Sequence, residues 1–251
     1  MEALKRHSIY FINDLNGYKI IGSGILVRIK NLYLILTAAH VLDKFDELFV
    51  LIENGSYKFK PGGQLISNEI VTSREEDGID IGIIKLDEES KAELEKSYSF
   101  LDEKHILINQ EISKDQDYFI YGFPSSMSKE KYKLNEFHVR PFFNLANPVD
   151  KSEYESLDRK HYLNIILTYD KQSTLNAKTK SLSNGPELYG ISGCGLWNLY
   201  DYEDVKLIAI MTDWPIKNRK RIIGTRADIV TETLRKLFNL NLEESKLFGL
   251  K

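Results

Sequence analysis

Short runs of β-branched and aromatic residues recur along the first third of the chain, with turn-forming residues between them. Such runs predict strands, and the polar and glycine-containing segments at 13–17 and 30–31 predict turns. The predicted strands of this part cover residues 8–12, 24–29, 32–37, 49–52, 57–59 and 80–86. Short strands without long helices between them favour a β-barrel or a β-sandwich.

A second series of strand-like runs follows a charged segment at 87–96, which predicts a helical turn or a solvated connector between two β units. The later strands are predicted at 117–122, 137–143, 162–168, 195–200 and 206–212. Polar stretches at 144–159 and 171–184 predict surface loops. Residues 227–240 predict an amphipathic C-terminal helix, because their apolar side chains recur at helical spacing. Those side chains are Ile229, Val230, Leu234, Leu237 and Phe238.

Composition narrows the class of protein. The 251 residues are 42% hydrophobic and 28% charged, which is typical of one globular domain. The net charge of −3 provides no general basic field, so we expect no nucleic-acid partner. No run approaches the roughly 20 apolar residues of a membrane span, so we expect no membrane partner.

Cys194 is the only cysteine, which excludes a disulfide within the chain. The amino-terminal residues show no apolar segment of the kind that forms a signal peptide. Together these features predict a cytoplasmic protein in a reducing compartment.

The first chemical candidate is His40. It directly follows the apolar run Leu34-Ile-Leu-Thr-Ala-Ala, and the strand Gly22-Ser-Gly-Ile-Leu-Val lies upstream. Small Ala38 and Ala39 allow a close turn that would present the imidazole at the edge of a barrel. A lone histidine at a strand end would more often be a structural residue.

The second candidate is Asp80, in Asp77-Gly-Ile-Asp80-Ile-Gly-Ile-Ile-Lys-Leu86. It opens an apolar strand, whereas Asp77 is followed by glycine. An aspartate in a turn before a strand is also common without any catalytic role.

The third candidate is Ser192, in Tyr189-Gly-Ile-Ser192-Gly-Cys-Gly-Leu196. Glycines on both sides permit a tight turn with positive φ, which can aim the N–H groups of Gly190 and Ser192 at one point. Such a pair of donors forms an oxyanion hole. The same glycines also fit a simple hairpin.

Taken together, these three segments resemble the histidine, aspartate and serine motifs of the chymotrypsin/trypsin-like serine proteases, and they occur in that family's order. The resemblance extends over residues 8–240 and is specific at the motifs. It implies an all-β fold of two six-stranded antiparallel β-barrels with a C-terminal α-helix. A single peptidase domain over residues 1–251 would contain a first barrel at 8–100, a second at 115–225 and a helix with tail at 226–251.

The resemblance implies a serine endopeptidase whose catalytic triad is His40, Asp80 and Ser192. Ser192 would attack the scissile carbonyl while His40 takes its proton, Asp80 would orient His40, and Gly190 and Ser192 would hold the oxyanion. This chemistry uses a protein or peptide substrate and needs no metal or organic cofactor.

Two positions depart from the family. In its digestive members an aspartate precedes the nucleophile and pairs with a newly released amino terminus, but here the residue is Ile191. Activation by amino-terminal cleavage is therefore not expected. Viral relatives use a cysteine nucleophile after Gly-x, but the residue two before Cys194 is Ser192, so Ser192 is favoured and Cys194 is expected to be a small buried residue.

Substrate recognition is less determined. By resemblance, Thr212, Asp213 and Trp214 are candidate walls of the primary side-chain pocket, and the basic segment 219–224 is expected opposite them or as a solvated turn. Those bases could select an acidic side chain, and Asp213 could select a basic one.

Several functions remain in competition. The leading one is a regulated processing protease of bacterial type with few targets and a regulatory partner protein, by analogy in stress or antiviral defence. A catalytically silent pseudoprotease that binds proteins, and an esterase on the same machinery, are the alternatives.

Overall fold

Two curled antiparallel sheets take up most of the chain in the computed structural model, which describes residues 2–13, 18–55, 57–68, 78–131, 136–175, 182–201 and 204–248. The predicted turn at 13–17 lies almost wholly outside these ranges, and Asp77 and part of the predicted loop at 171–184 lie outside them too. The two sheets and the C-terminal helix confirm the prediction of a mostly β protein.

The first sheet contains eight strands rather than six. They are β1 (Ser8–Asn13), β2 (Lys19–Ile29), β3 (Leu32–Thr37), β4 (Phe49–Ile52), β5 (Tyr57–Phe59), β6 (Gly63–Ser67), β7 (Gly82–Leu86) and β8 (Leu101–Asp102). Seven lie in the order β5-β4-β1-β2-β3-β7-β6, and β8 pairs in parallel with β2. The additional members are β6, whose side chains are mostly exposed, and the two-residue β8, and neither has the apolar run that predicts a strand.

The second sheet contains six strands, in the order β12-β9-β16-β17-β18-β13. Their bounds are β9 (Asp117–Gly122), β12 (Phe142–Ala146), β13 (Asn164–Thr168), β16 (Gly195–Asp201), β17 (Asp204–Asp213) and β18 (Arg221–Arg226). Two separate hairpins pair β10 (Ser128–Lys131) with β11 (Glu136–Val139), and β14 (Thr174–Leu175) with β15 (Leu182–Ser183). The edges of the sheet meet next to β12 and β13, where Thr168 N donates to Asn147 O at 2.8 Å and Val149 N donates to Ile166 O at 3.2 Å.

Alternation along the strands explains where the cores lie. On β2, Leu26 packs inside the first sheet, whereas Ile25 and Val27 face the second sheet and the C-terminal helix. The interior of the second sheet is a separate cluster that includes Ile165 and Met211. Because successive side chains of a strand point to opposite faces, each sheet keeps its own core and shares a third one with its neighbour.

Five α-helices lie between and after the strands in the described residues: α1 (Glu2–His7), α2 (Ala39–Leu42), α3 (Glu88–Glu95), α4 (Lys151–Ser156) and α5 (Ala227–Leu237). The predicted helical turn at 87–96 is confirmed by α3, which Asp87 caps by accepting a hydrogen bond from Ser90 N at 2.7 Å. The predicted loop at 144–159 is wrong in part, since it contains the end of β12 and α4. Buried Tyr154 anchors α4, because its hydroxyl accepts from Ile166 N at 3.1 Å.

The predicted C-terminal helix is confirmed by α5, which buries Ile229, Val230 and Leu234. It ends three residues earlier than expected, and Leu237 is wrong as a core residue because its side chain is 53% exposed. Asn239 has φ +49°, which turns the chain away from the helix axis. Within the described ranges, no helix combines the length and apolar character needed to cross a membrane.

Candidate active site

His40 lies on the short helix α2, which begins two residues after β3 ends. Ala38 and Ala39 are fully buried, so the chain turns here against the packed core, as small side chains permit. Val41 and Leu42 are buried on the following positions of α2, whereas His40 is half-buried. The imidazole is thus held on a fixed backbone at the edge of the first sheet.

Asp80 meets His40 with both carboxylate oxygens. Its Oδ2 lies 2.6 Å from His40 Nδ1, and its Oδ1 accepts the backbone N–H of His40 at 3.0 Å. Asp80 is only 7% exposed, which strengthens a hydrogen bond to a charged acceptor. With Nδ1 engaged in this way, Nε2 is the ring nitrogen left to take up a proton.

Two consecutive tight turns, at 188–191 and 191–194, form the segment around Ser192, which lies in the second of them. Ile191 N donates to Leu188 O at 3.3 Å, and Cys194 N donates to Ile191 O at 3.0 Å. The third residue of each turn is a glycine with positive φ, +80° at Gly190 and +92° at Gly193. A positive φ at that position is what a type II turn requires, which explains the glycines on both sides of the serine.

These turns dock on the first sheet close to His40. Ser23 N donates to Ser192 O at 2.7 Å, and Ser23 Oγ donates to Gly190 O at 3.3 Å. A Cβ added at Gly193 would lie 2.0 Å from Ser23 O and 2.3 Å from the hydroxyl of Thr37, the last residue of β3. The structure therefore brings the serine turn against the strand end that leads into His40.

Hydrogen bonds among the candidate catalytic groups are few. Among the described residues, no hydrogen bond joins Ser192 Oγ to His40, and the N–H groups of Gly190 and Ser192 donate to no acceptor. The N–H of Ile191, between them, is used inside the turn. The two backbone donors on either side of Ile191 thus have no acceptor among the described residues.

Ile191 and Cys194 both point away from this surface into the core of the second sheet, and both are fully buried. Burial raises the pKa of the Cys194 thiol, which disfavours the nucleophilic thiolate. Its Sγ lies 3.9 Å from Met211 Sδ. The surroundings of Cys194 are those of a packed apolar side chain, and the Ile191 side chain offers no charge for an ion pair.

The three candidate pocket residues have different surroundings. Thr212 is 7% exposed, and its hydroxyl lies 3.5 Å from Ile223 O on the neighbouring strand, so it is a buried residue of the sheet. Asp213 forms an ion pair with Arg159 at 3.4 Å. Trp214 is half-buried, and its indole N–H donates to Arg219 O at 2.9 Å.

A charged and aromatic cluster borders the serine turn; it contains Trp214 and Arg219, which the sequence names as opposite walls of a pocket, and also Glu187 and Lys171, which sequence analysis missed. The guanidinium of Arg219 lies 4.3 Å from the Trp214 ring centroid and 5.2 Å from that of Tyr189. It also forms an ion pair with Glu187 at 2.6 Å, and Lys171 pairs with the same carboxylate. Arg219 and Asp213 each already have an oppositely charged partner, so neither acts as a lone charge toward a substrate.

The basic segment 219–224 is a turn only at Arg219 and Lys220, of which Lys220 is exposed. Residues from Arg221 onward form β18, with Ile222 and Ile223 buried between β17 and β13. Arg219 and Arg221 both have carboxylate partners, and Arg221 Nε donates to Glu153 Oε2 at 2.6 Å. The sequence did not predict this strand, because the apolar residues of β18 are few and basic residues precede them.

A cavity of about 350 Å³ lies elsewhere, between β2, β8 and the C-terminal tail. Its charged lining residues Lys30 and Glu103 pair with each other at 2.7 Å, and we assign it no function. Over the ranges that the structure describes, no three His, Cys, Asp or Glu side chains are grouped to hold a metal ion.

No protein-family model matches this chain. A search of curated proteins also finds no match. The function of the protein is therefore inferred from its residues and their geometry.

Proposed function

We propose that this protein is a serine endopeptidase of the chymotrypsin/trypsin-like class, with His40, Asp80 and Ser192 as its catalytic triad. The observation that carries the proposal is the His40–Asp80 pair, bonded at 2.6 Å, at the sheet edge on which the glycine turns of Ser192 dock. In this proposal the two curled sheets correspond to the two barrels of that fold, and the first barrel carries the additional strands β6 and β8.

The mechanism follows from the roles of these groups. His40 Nε2 accepts the proton of Ser192 Oγ as that oxygen attacks the scissile carbonyl, and Asp80 stabilises the resulting imidazolium. The N–H groups of Gly190 and Ser192 donate to the carbonyl oxygen as it becomes negative. His40 then protonates the leaving amine, and water, deprotonated by His40, releases the acyl group from Ser192. Every step uses side chains and backbone of this chain with a peptide substrate.

Recognition of the substrate is assigned to the surface between Tyr189 and Trp214, with Thr212 and Asp213 behind it. Exposed Tyr189 and the partly exposed Arg219–Glu187 pair border the serine turn, so a substrate side chain would meet aromatic faces and a paired charge there. Profiling the cleavage of a random peptide library would give the preferred side chain. We further propose a reducing cytoplasmic location, since the single cysteine is buried and forms no disulfide.

A fluorophosphonate probe tests the proposal, because it phosphonylates only an activated serine: Ser192 Oγ would attack phosphorus and fluoride would leave. We expect labelling at Ser192 in the wild type and none in Ser192→Ala. His40→Ala should abolish the labelling, and Asp80→Asn should slow it by about four orders of magnitude, since the wrong imidazole tautomer is then held. Labelling that persists in Ser192→Ala, or that is unchanged in His40→Ala, would contradict the proposed triad.

A latent enzyme or a binding module is the second candidate, favoured by the absence of a hydrogen bond between Ser192 Oγ and His40. Catalytic hydrogen bonds often tighten only when substrate is bound, so this geometry also fits a resting protease. Labelling of the isolated protein supports the active enzyme. Labelling that appears only in a lysate supports latency, and no labelling in either sample supports the binding module.

A further inference from the structure

Two buried polar side chains of the second sheet face the loop that carries Asp80. Asn164 on β13 and Thr225 on β18 are direct cross-strand partners, and they are 1% and 0% exposed. The apolar residues Ile165 and Ile223 follow and precede them along their strands and are also buried. Burying an amide or a hydroxyl in such apolar surroundings destabilises the folded protein unless the group forms hydrogen bonds.

Their hydrogen bonds cross to the first half of the chain. Asn164 Nδ2 donates to Gly78 O at 2.8 Å, and the N–H of Asp80 points to Thr225 Oγ1 at 3.5 Å. Asn164 Oδ1 accepts Lys160 N at 3.3 Å, so both ends of the amide are used. The second sheet thus reaches the backbone on both sides of Ile79.

The first sheet holds the same loop from the other side. Asn68 Nδ2 donates to Ile79 O at 2.8 Å, and Ala39 N donates to Asp80 O at 3.3 Å. The loop from Gly78 to Ile81 lies outside the strand ladder, because β7 begins only at Gly82. Its backbone is therefore held by individual hydrogen bonds rather than by a strand ladder, and two of them come from the second sheet.

We propose that Asn164 and Thr225 are positioning residues that fix Asp80 against His40. The inference rests on the proposed function, since it assigns these residues to the orientation of the triad. Together they tie the loop of the first sheet to the sheet that bears Ser192, so the carboxylate takes its place only when the two sheets are docked. A displacement of about 1 Å in a catalytic group costs on the order of a hundredfold in rate.

The test compares Asn164→Leu and Thr225→Val, which keep approximate side-chain size and remove the hydrogen bonds. We expect the fluorophosphonate labelling rate of Ser192 to fall about tenfold to a hundredfold in each, through the rate of phosphonylation rather than the half-saturating probe concentration. The His40 Nδ1 proton resonance should broaden in both variants. Thr225→Ser keeps the hydroxyl and should restore the rate and the resonance.

Asn198→Leu is the matched control. Asn198 is a fully buried asparagine of the same sheet whose Nδ2 donates to Gln116 Oε1 at 2.9 Å, away from the Asp80 loop. If Asn164→Leu and Thr225→Val lose no more labelling rate than Asn198→Leu, measured where all are folded by thermal melting, the inference is overturned. Failure of Thr225→Ser to restore the rate would also overturn it.

Amide hydrogen exchange at Asp80 tests the role of Asn164 and Thr225 independently of catalysis. If the wild type is not labelled at all, the protease proposal fails, but amide hydrogen exchange at Asp80 still reports on the loop. Exchange faster in Thr225→Val and Asn164→Leu than in Asn198→Leu supports the positioning of Asp80. Equal exchange in the three variants overturns it.

Discussion

Cys194 shows, at the scale of one residue, how surroundings decide which side chain can react. The sequence places it two residues after Ser192, in a frame where either sulfur or oxygen is a conceivable nucleophile. The structure buries it fully and raises the pKa of its thiol, whereas Ser192 is partly exposed on the turn surface. The sequence favours serine because the residue two before Cys194 is Ser192 and not glycine, and the burial of Cys194 supplies an independent physical reason for the same preference.

We expect the Cys194 thiol of the native protein to react with iodoacetamide at pH 8 on the order of a hundredfold more slowly than a free thiol, since reaction needs both opening of the core and ionisation. Reaction should become fast in denaturing urea. Mass spectrometry of timed samples measures both rates, with Cys194→Ala as the unlabelled control. Native alkylation at the rate of a free thiol would mean that the sulfur is accessible.

At the scale of single elements, the sequence predicts strands well where their side chains are buried. The bounds of β3 and β4 were predicted to the residue, because their apolar runs are continuous and end at turn residues. By contrast, β6 and β8 are formed by backbone pairing with β7 and β2, and β18 carries its few apolar residues among bases. Such strands form because neighbouring strands pair with their backbones, and the local sequence carries no signal of that pairing.

The helix α5 offers a pH-dependent test at this scale. Glu232 accepts two hydrogen bonds from Arg235, at 3.0 and 2.9 Å, and one from Ser245 N at 2.9 Å. Arg235 and Ser245 hold the pKa of the Glu232 carboxyl below its usual range. Since the folded pKa is lower than the unfolded one, the stabilisation is complete above the unfolded pKa of about 4.3 and is lost as pH falls through the folded value.

We therefore expect Glu232→Gln to melt at a lower temperature than the wild type at pH 7, with the gap closing toward pH 3. Thermal unfolding followed by circular dichroism at several pH values measures it. Glu88→Gln is the control, because Glu88 is 92% exposed and its i,i+3 pair with Lys91 is 3.5 Å long. A gap for Glu232→Gln that stays constant across this pH range would contradict the assigned role of its charge.

At the scale of the whole molecule, the candidate site exists only where the two sheets meet. The sequence predicted His40, Asp80 and Ser192 from the residues around each, but local patterns carry no information on their distances. The bonds from Asn164 to Gly78 and from Asp80 to Thr225 span 86 and 145 residues of the chain. Contacts between such distant positions arise from docking, which is why the roles of Asn164 and Thr225 were not predicted.

Gly193→Ala tests this docking. A Cβ there would lie 2.0 Å from Ser23 O at φ +92°, so backbone strain and a steric clash combine. We expect the free energy of unfolding to fall by about 2–5 kcal/mol and Ser192 to lose its labelling. Chemical denaturation measures the first effect and the fluorophosphonate probe the second.

Gly55→Ala separates strain from clash, because Gly55 has φ +90° and no atom within 4 Å of its added Cβ. We expect Gly55→Ala to lower the free energy of unfolding by only about 1–2 kcal/mol. If Gly193→Ala and Gly55→Ala lower the free energy of unfolding equally, the close approach of the sheets at Gly193 makes no contribution to the loss of stability.

The bond from Ser23 N to Ser192 O has a consequence for the evolution of this protein. Because it joins two backbone groups, this bond by itself requires only a backbone N–H at position 23 and so excludes only proline, whereas the bond from the Ser23 hydroxyl to Gly190 O depends on the side chain. Selection on the backbone bond therefore leaves little trace at position 23 and falls on the glycine at 193, where any larger side chain is excluded. Asn164 and Thr225, by contrast, act through their side chains, so lineages that change one of them are expected to change the loop before Asp80 as well.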